Sequence, residues 1–380
     1  MTTTTSSTNS CAADGAEESL GPTSLPPWRR AGLRYFAYNY FLRQRFGYRV
    51  QKVSIDAGFT CPNVDGTVAI GGCTFCDNRS FSPSRRLPRT NIAGQIDEGI
   101  RRLKRRYVCD HFMAYFQPAT NTYAPVERLR PLYEQALDHP QVVGLAIGTR
   151  PDCVPDPVLD LLQEMAERTY LSVEYGMQTM HDRSLEWMNR GHDHASFVDA
   201  MQRSRQRGFE ICAHVILGLP GESHEDMLAT ARELARIGVD SVKLHNLYAV
   251  KRTPLAEQVA AGEVELIGRD AYVRAVVEFL ELTPPHVIVE RVSGDAPPDY
   301  FVGPSWCLDK PAVRSAIDAE FARRNTWQGR LVDATNSLPP QTDLKPARGI
   351  GRAVSHAARV EVDGDLAVAP DGDDAAVAGS

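Results

Sequence analysis

Six short runs of β-branched and apolar residues alternate with six longer helix-like patterns, and this alternation constrains the fold more than any other feature of the chain. The strand candidates are KVSIDA (52–57), HFMAYFQ (111–117), VVGLAIGT (142–149), YLSVEYGMQ (170–178), EICAHVILGL (210–219) and SVKLHNLYAV (241–250). Helical patterns follow them at 90–106, 126–137, 156–168, 195–207, 224–237 and 269–281. Parallel neighbours need crossover connections, and those are usually helical, so repeated β-then-α units predict a parallel sheet with helices outside it. An open sheet and a barrel both satisfy this pattern. In either, the loops that carry chemistry gather at the carboxyl ends of the strands.

At 380 residues the chain is long enough to bury a large core. No stretch approaches the roughly 20 apolar residues of a membrane span. Residues 1–26 are rich in Thr, Ser and Pro and hold no Lys or Arg, unlike a secretory signal, which leads to the expectation of a cytoplasmic protein. Residues 361–380 carry six acidic residues and no Lys or Arg, which accounts for the whole net charge of -6. Such composition predicts disorder. The expected organisation is a disordered tail at 1–26, a basic aromatic helix at 27–47, a core at 48–286, a small extension at 287–330 and a disordered acidic tail at 331–380.

Three of the eight cysteines fall in CPNVDGTVAIGGCTFC, where Cys61, Cys73 and Cys76 are spaced C-x11-C-x2-C after the first strand. In a reducing compartment, clustered cysteines hold metal or do chemistry more often than they form disulfides. Gly66, Gly71 and Gly72 allow the tight wrapping that a compact ligand requires. Structural zinc normally takes four protein ligands. An iron-sulfur cluster on three thiolates leaves one iron open to a small molecule. Spacing alone leaves zinc, buried thiols and a cluster as alternatives. Cys109, Cys153, Cys212 and Cys307 lack ligand spacing and read as small buried residues.

The segments SIDAGFTCPNVDGT and GGCTFC resemble the cluster loop of the radical S-adenosylmethionine (SAM) superfamily, in its uncharacterised bacterial branch. GTRPDCV (148–154), VEYGMQTMHDRSLEWMNRGH (173–192) and HVILGLPGES (214–223) are similar to the radical SAM core of the elongator catalytic subunit. The cysteine spacing is that of the uncharacterised branch, and no acetyltransferase-sized domain follows the core. The resemblance implies a partial (β/α)6 TIM-like barrel with a small C-terminal extension. It also implies a [4Fe-4S] cluster on Cys61, Cys73 and Cys76, with SAM chelating the fourth iron. One electron from a reductase or flavodoxin-like donor would cleave SAM to methionine and a 5'-deoxyadenosyl radical that abstracts hydrogen, making the protein an oxidoreductase or transferase.

Further roles follow from position in that family. Phe75 is expected beside adenine and Gln117 near the methionyl amino group, although the chain has Gln-Pro where relatives often have Gly-Gly-Glu. Glu174 and Gln178 are expected at the ribose hydroxyls, with a salt-bridged carboxylate as the alternative for Glu174. Gly218 and Pro220 of GLPGE are expected to bring backbone close to SAM. His245, with Asn246 and Tyr248, is placed to reach adenine or substrate. Arg150 and Asp152 form either a substrate-positioning pair or a loop brace. No residue is assigned as the catalytic group.

The substrate is less constrained. Residues 28–52 hold seven basic residues, no acidic one and eight aromatics, a composition suited to phosphate neutralisation and base stacking. The alternative is an amphipathic helix whose Tyr35, Tyr38 and Leu42 pack on the barrel. The run RRLKRR (101–106) has the same two readings. Three functions therefore stand open: radical SAM chemistry on tRNA or another RNA, the same chemistry on a small metabolite, and a non-enzymatic zinc-bearing RNA-binding protein.

Overall fold

The computed structural model describes residues 25–87 and 90–332. Most of the two expected disordered tails, 1–24 and 333–380, lies outside the described residues. Among the described residues the strands, in chain order, are β1 Val50–Ile55, β2 His111–Phe116, β3 Val142–Thr149, β4 Tyr170–Gln178, β5 Glu210–Leu217, β6 Ser241–Asn246, β7 Ala249–Val250, β8 Ile288–Arg291 and β9 Phe301–Gly303. The helices are α1 Pro27–Arg30, α2 Tyr38–Phe46, α3 Asn78–Phe81, α4 Ile92–Lys104, α5 Val126–Leu137, α6 Asp156–Arg168, α7 Asp182–Trp187, α8 His194–Ser204, α9 His224–Ile237, α10 Pro254–Ala260, α11 Arg269–Glu281 and α12 Lys310–Arg323.

Seven strands form one parallel sheet in the order β1-β2-β3-β4-β5-β6-β8, and β7 pairs with β9 in a separate antiparallel ribbon. The sheet curls into a half-barrel with helices on its outer face. All six expected strands are present, but two expectations need correction. The run 241–250 is divided, because its last residues leave the sheet to pair with β9. The proposed extension at 287–330 supplies β8, which pairs in parallel with β6, so its first strand is the edge strand of the half-barrel sheet.

Local chemistry places the helices. In α4, Ile92, Ile96 and Ile100 recur every fourth residue and are all buried. This helix lies so close to β1 that a Cβ on Gly99 would stand 2.3 Å from Val53. The start of α9 carries a reciprocal capping box between Ser223 and Asp226, and Gly238 ends it in the left-handed conformation.

The expected helix at 27–47 is two short helices separated by a turn at Gly32, whose φ is +80°. A continuous helix is incompatible with the use made of residues 34–37. The N–H of Val289 donates to the Phe36 carbonyl, and Ala37 bridges Val289, so this strip lies along β8. Tyr38, Phe41 and Leu42 of α2 join Val50, Met113, Ala146, Tyr170 and Ile288 in one apolar cluster that fills the amino-terminal end of the barrel. The aromatic residues of this segment are thus largely core, as the packing alternative required. Arg29 lies over the Trp327 ring at 3.5 Å, and Arg45 over Tyr170 at 4.9 Å. Arg30, Arg43 and Tyr48 remain exposed.

Gln328 latches the same seam. It is fully buried, accepts from the Phe36 N–H at 2.8 Å, and donates to the carbonyls of Pro284 and Val287 at 2.7 Å each. Replacing it by Leu leaves the Phe36 N–H and the Val287 carbonyl without a partner, while the Pro284 carbonyl keeps the Val287 N–H at 3.0 Å. Gln328→Leu is expected to cost on the order of 3 kcal/mol in urea unfolding. An unchanged midpoint would show that the seam is held by other contacts.

Candidate active site

At the carboxyl ends of the strands lies a cavity of about 240 Å³. Its rim holds Cys61, Cys73 and Cys76, and its wall holds Phe75, Gln117, Gln178 and His245. Glu174 and Lys243 line it deeper down. Glu174 stands four residues before the end of β4, about 13 Å further along the strand.

The cysteine loop is held from one side by the segment after α7. Asn63 Nδ2 donates to the carbonyls of Asn189 and Arg190 at 2.6 and 2.8 Å, and Asn189 Nδ2 donates to the Gly72 carbonyl at 2.8 Å. The Thr74 N–H reaches the Met188 carbonyl at 3.0 Å. Gly191 makes the approach possible: its φ is +70°, and a Cβ there would stand 2.5 Å from Asn63 Oδ1. Two N–H donors aim at the Cys73 sulfur, Asn63 Nδ2 at 3.5 Å and Arg190 Nη1 at 3.4 Å. Arg190 also donates to the Gly176 carbonyl at 2.9 Å and to His192 Nε2 at 3.0 Å. Burial and the neighbouring Arg190 and Arg150 push His192 down to about 3, which leaves it neutral and able to accept.

The three thiols sense one another. Cys76 opens onto the cavity yet has protein on most sides, and that desolvation, followed by the charges of Cys73 and Cys61, raises its pKa well above an ordinary thiol's. Arg190 acts in the opposite direction. A bare thiolate at Cys76 is therefore unfavourable, and a bound cation would relieve the repulsion. Cys153 is also raised, to about 12, first by burial and then by Asp152.

Arg150 and Asp152 form a bidentate pair at 2.9 and 2.7 Å, and Arg150 Nη1 donates to the Arg190 carbonyl at 2.6 Å. Burial raises Asp152, but its bonds to Arg150 outweigh this and leave the carboxyl below its ordinary pKa. Arg150 is buried, so the pair braces the segment that clamps the cysteine loop.

Glu174 departs from its expected ribose role. Oε1 accepts from Lys52 at 2.7 Å, while Oε2 accepts from Tyr115 at 2.7 Å, His214 at 2.7 Å and Lys243 at 2.9 Å. Both oxygens are engaged, so Glu174 is the salt-bridged carboxylate of the alternative reading. Burial opposes its charge, yet Lys243 and Lys52 hold its pKa well below the usual carboxylate range. Glu290 completes the network, accepting from Lys52 at 2.6 Å.

Gln178 sits at a register shift at the end of β4 with φ +72°, a conformation that turns the strand end at the cavity. Gly176 leaves room for it, since a Cβ there would lie 2.5 Å from Arg190 Nη2 and 2.7 Å from Gln178 Nε2. Gln117 Nε2 donates to the Phe81 carbonyl at 3.3 Å, and its Oε1 is buried with no partner. Phe75 both lines the cavity and packs against a cluster that includes Met188, Ile216 and Leu255. Gly218 and Pro220 lie beyond β5, outside the cavity lining. Gly218 has φ +84° and abuts Ile267, where a Cβ would come within 2.6 Å.

Asn63, Arg190 and His214 belong to this site and fall inside the family-like segments, where no role is assigned to them, whereas Lys52, Lys243, Tyr115 and Glu290 belong to it from outside those segments. The available signal is a lysine in each of two strand runs, KVSIDA and SVKLHN, because a charge buried in a sheet requires a partner.

Residues 70–234 match the family model described as Radical SAM superfamily, and 239–323 match the Radical_SAM C-terminal domain. The uncharacterized protein YtqA of Bacillus subtilis is 41% identical over 305 residues, covering 80% of this chain and 95% of that protein. A tRNA uridine(34) acetyltransferase of Dehalococcoides mccartyi is 30% identical over 158 residues, which is 41% of this chain and 34% of that protein. Among solved structures, the N-terminally truncated Elp3 of Methanocaldococcus infernus superposes with a TM-score of 0.56 at 17% identity, covering 73% of this chain and 64% of that one, a likeness of fold.

Proposed function

Because the chain belongs to the radical SAM superfamily and is an enzyme that uses a [4Fe-4S] cluster and SAM, we propose that Cys61, Cys73 and Cys76 are the cluster ligands and that the substrate is a tRNA. The observation that carries the cluster assignment is the meeting of three thiols on one cavity rim, with two N–H donors on the Cys73 sulfur. Donors of this kind stabilise thiolate charge and tune a cluster's potential.

When bound, the reduced cluster and SAM supply methionine and a 5'-deoxyadenosyl radical that takes hydrogen from an unactivated C–H bond. The protein's part is placement and exclusion of water. The unpartnered Gln117 Oε1 would accept from the methionyl ammonium, Gln178 would serve the ribose hydroxyls, and Phe75 would offer a ring edge to the adenine, all three lining the cavity. His245 presents an unpartnered Nε2 to the same cavity. Asn63, Arg190 and the Arg150–Asp152 brace hold the cysteine loop in place.

The tRNA reading draws support from the named tRNA enzyme among the relatives and from exposed cations. These are Arg30, Arg43, Arg105 and Arg106, with Tyr48 as an exposed ring. In this reading the enzyme works in the cytoplasm with a reductase or flavodoxin-like protein as electron donor. Nucleosides of tRNA from a deletion strain are expected to lack one modified species that returns when the gene is restored. An unchanged nucleoside profile under several growth conditions would refute the tRNA substrate and leave the cluster assignment standing.

A further inference from the structure

The deep part of the cavity is built differently from its rim. Glu174 receives hydrogen bonds from two ammonium groups, a tyrosine hydroxyl and the His214 ring, and the two ammoniums hold it ionised. An ionised carboxylate only accepts. The proton between His214 Nε2 and Glu174 Oε2, 2.7 Å apart, therefore belongs to the imidazole.

Burial, with Lys243 adding to it, keeps the His214 pKa below that of a free histidine despite the hydrogen bond from Glu174. A neutral ring with its proton on Nε2 has a bare Nδ1. No hydrogen bond of Nδ1 is present among the described residues, and the ring lines the cavity. His245 stands beside it, ring centroids 5.4 Å apart, with burial and Arg291 holding it neutral as well. Gly294 lies against that second ring, where a Cβ would come within 3.0 Å of Nδ1. The charge of Lys243 is answered by Glu174 and by Glu290 at 3.7 Å.

We infer that the floor of the cavity is a substrate subsite in which His214 Nδ1 accepts a hydrogen bond from an uncharged N–H or O–H group of the substrate, with Glu174 as the positioning residue that fixes the ring's tautomer. The inference rests on the cysteine rim being the cofactor end of the cavity. It does not depend on the substrate being RNA.

Two measurements on the reconstituted holoenzyme test it. With ¹⁵N-histidine labelling, the signal that disappears in His214→Asn is expected to show a protonated Nε2 and a bare Nδ1, and Glu174→Gln is expected to mix the tautomers, since a carboxamide can donate as well as accept. A wild-type signal with the proton on Nδ1 would overturn the inference. The second measurement uses two probes from a deletion strain, total tRNA and the small-molecule pool, each scored for stimulation of 5'-deoxyadenosine formation.

His214→Gln keeps a donor where Nε2 stands and loses the acceptor, whereas His214→Asn keeps an acceptor where Nδ1 stands. The Gln variant is expected to lose about tenfold of the stimulation and the Asn variant less. Equal behaviour of the two, or a SAM Kd raised about tenfold in the Gln variant, would overturn the inference, the ring then being structural or a cofactor ligand. Stimulation by the small-molecule pool alone, abolished in the Gln variant, would refute the tRNA reading and uphold the subsite.

Discussion

Joint replacement of Cys61, Cys73 and Cys76 by alanine is expected to leave a colourless protein after oxygen-free reconstitution, without the roughly four iron atoms that a [4Fe-4S] cluster brings. Formation of 5'-deoxyadenosine with dithionite should fall by more than about a hundredfold, beyond the loss typical of disturbing an outer-shell partner. The fold should persist, because the loop is also held by Asn63, Asn189 and the Thr74 N–H through bonds that use no thiol. Cys153→Ala serves as the control. Cys153 is buried beside the Arg150–Asp152 brace and has no part in the proposed ligand set. A brown chromophore surviving in the triple variant would refute the assignment, and its loss in Cys153→Ala alone would move it to a different sulfur.

Glu174→Ala is expected to be the most damaging single substitution for stability. It removes the common partner of Lys52 and Lys243, whose side chains are almost completely buried. Breaking a buried ion pair from one side costs about 3–5 kcal/mol, because the opposite charge stays behind uncompensated. Here two cations remain, with Glu290 as their surviving anion. Calorimetry should show a melting temperature lower by roughly 10 °C. Glu174→Gln, which keeps the shape and one acceptor oxygen, should fall between that variant and the wild type. A loss below about 1 kcal/mol for Glu174→Ala would mean that Glu290 alone suffices to neutralise the barrel floor.

These two expectations separate what was legible from what was not. The cysteine trio stands within sixteen residues of sequence, and the glycines between announce the loop that carries it. Helix limits such as 126–137, 156–168, 224–237 and 269–281 follow from apolar periodicity, proline starts and end signals, and the structure reproduces them. The sheet's last strand was harder to see. Residues 288–291 are too short and irregular to stand out, and they become a strand because β6 offers an unpaired edge. Residues 27–47 misled for the opposite reason. Their aromatic and basic composition fits a helix or a nucleic-acid surface equally well, and sealing the barrel's end and seam takes up most of the aromatics while Arg30 and Arg43 stay exposed.

By itself, then, the sequence determined the alternation of strand and helix and the spacing of three thiols, since both depend on residues close together along the chain. Tertiary structure alone decided that Lys52 meets Glu174 across 122 positions, that Arg190 turns toward the Cys73 sulfur, and that Glu174 serves two lysines and a histidine. The physical reason is desolvation. A charge carried into the half-barrel has to find whichever opposite charge or polar group the curled sheet places beside it, and no local pattern records which one that is.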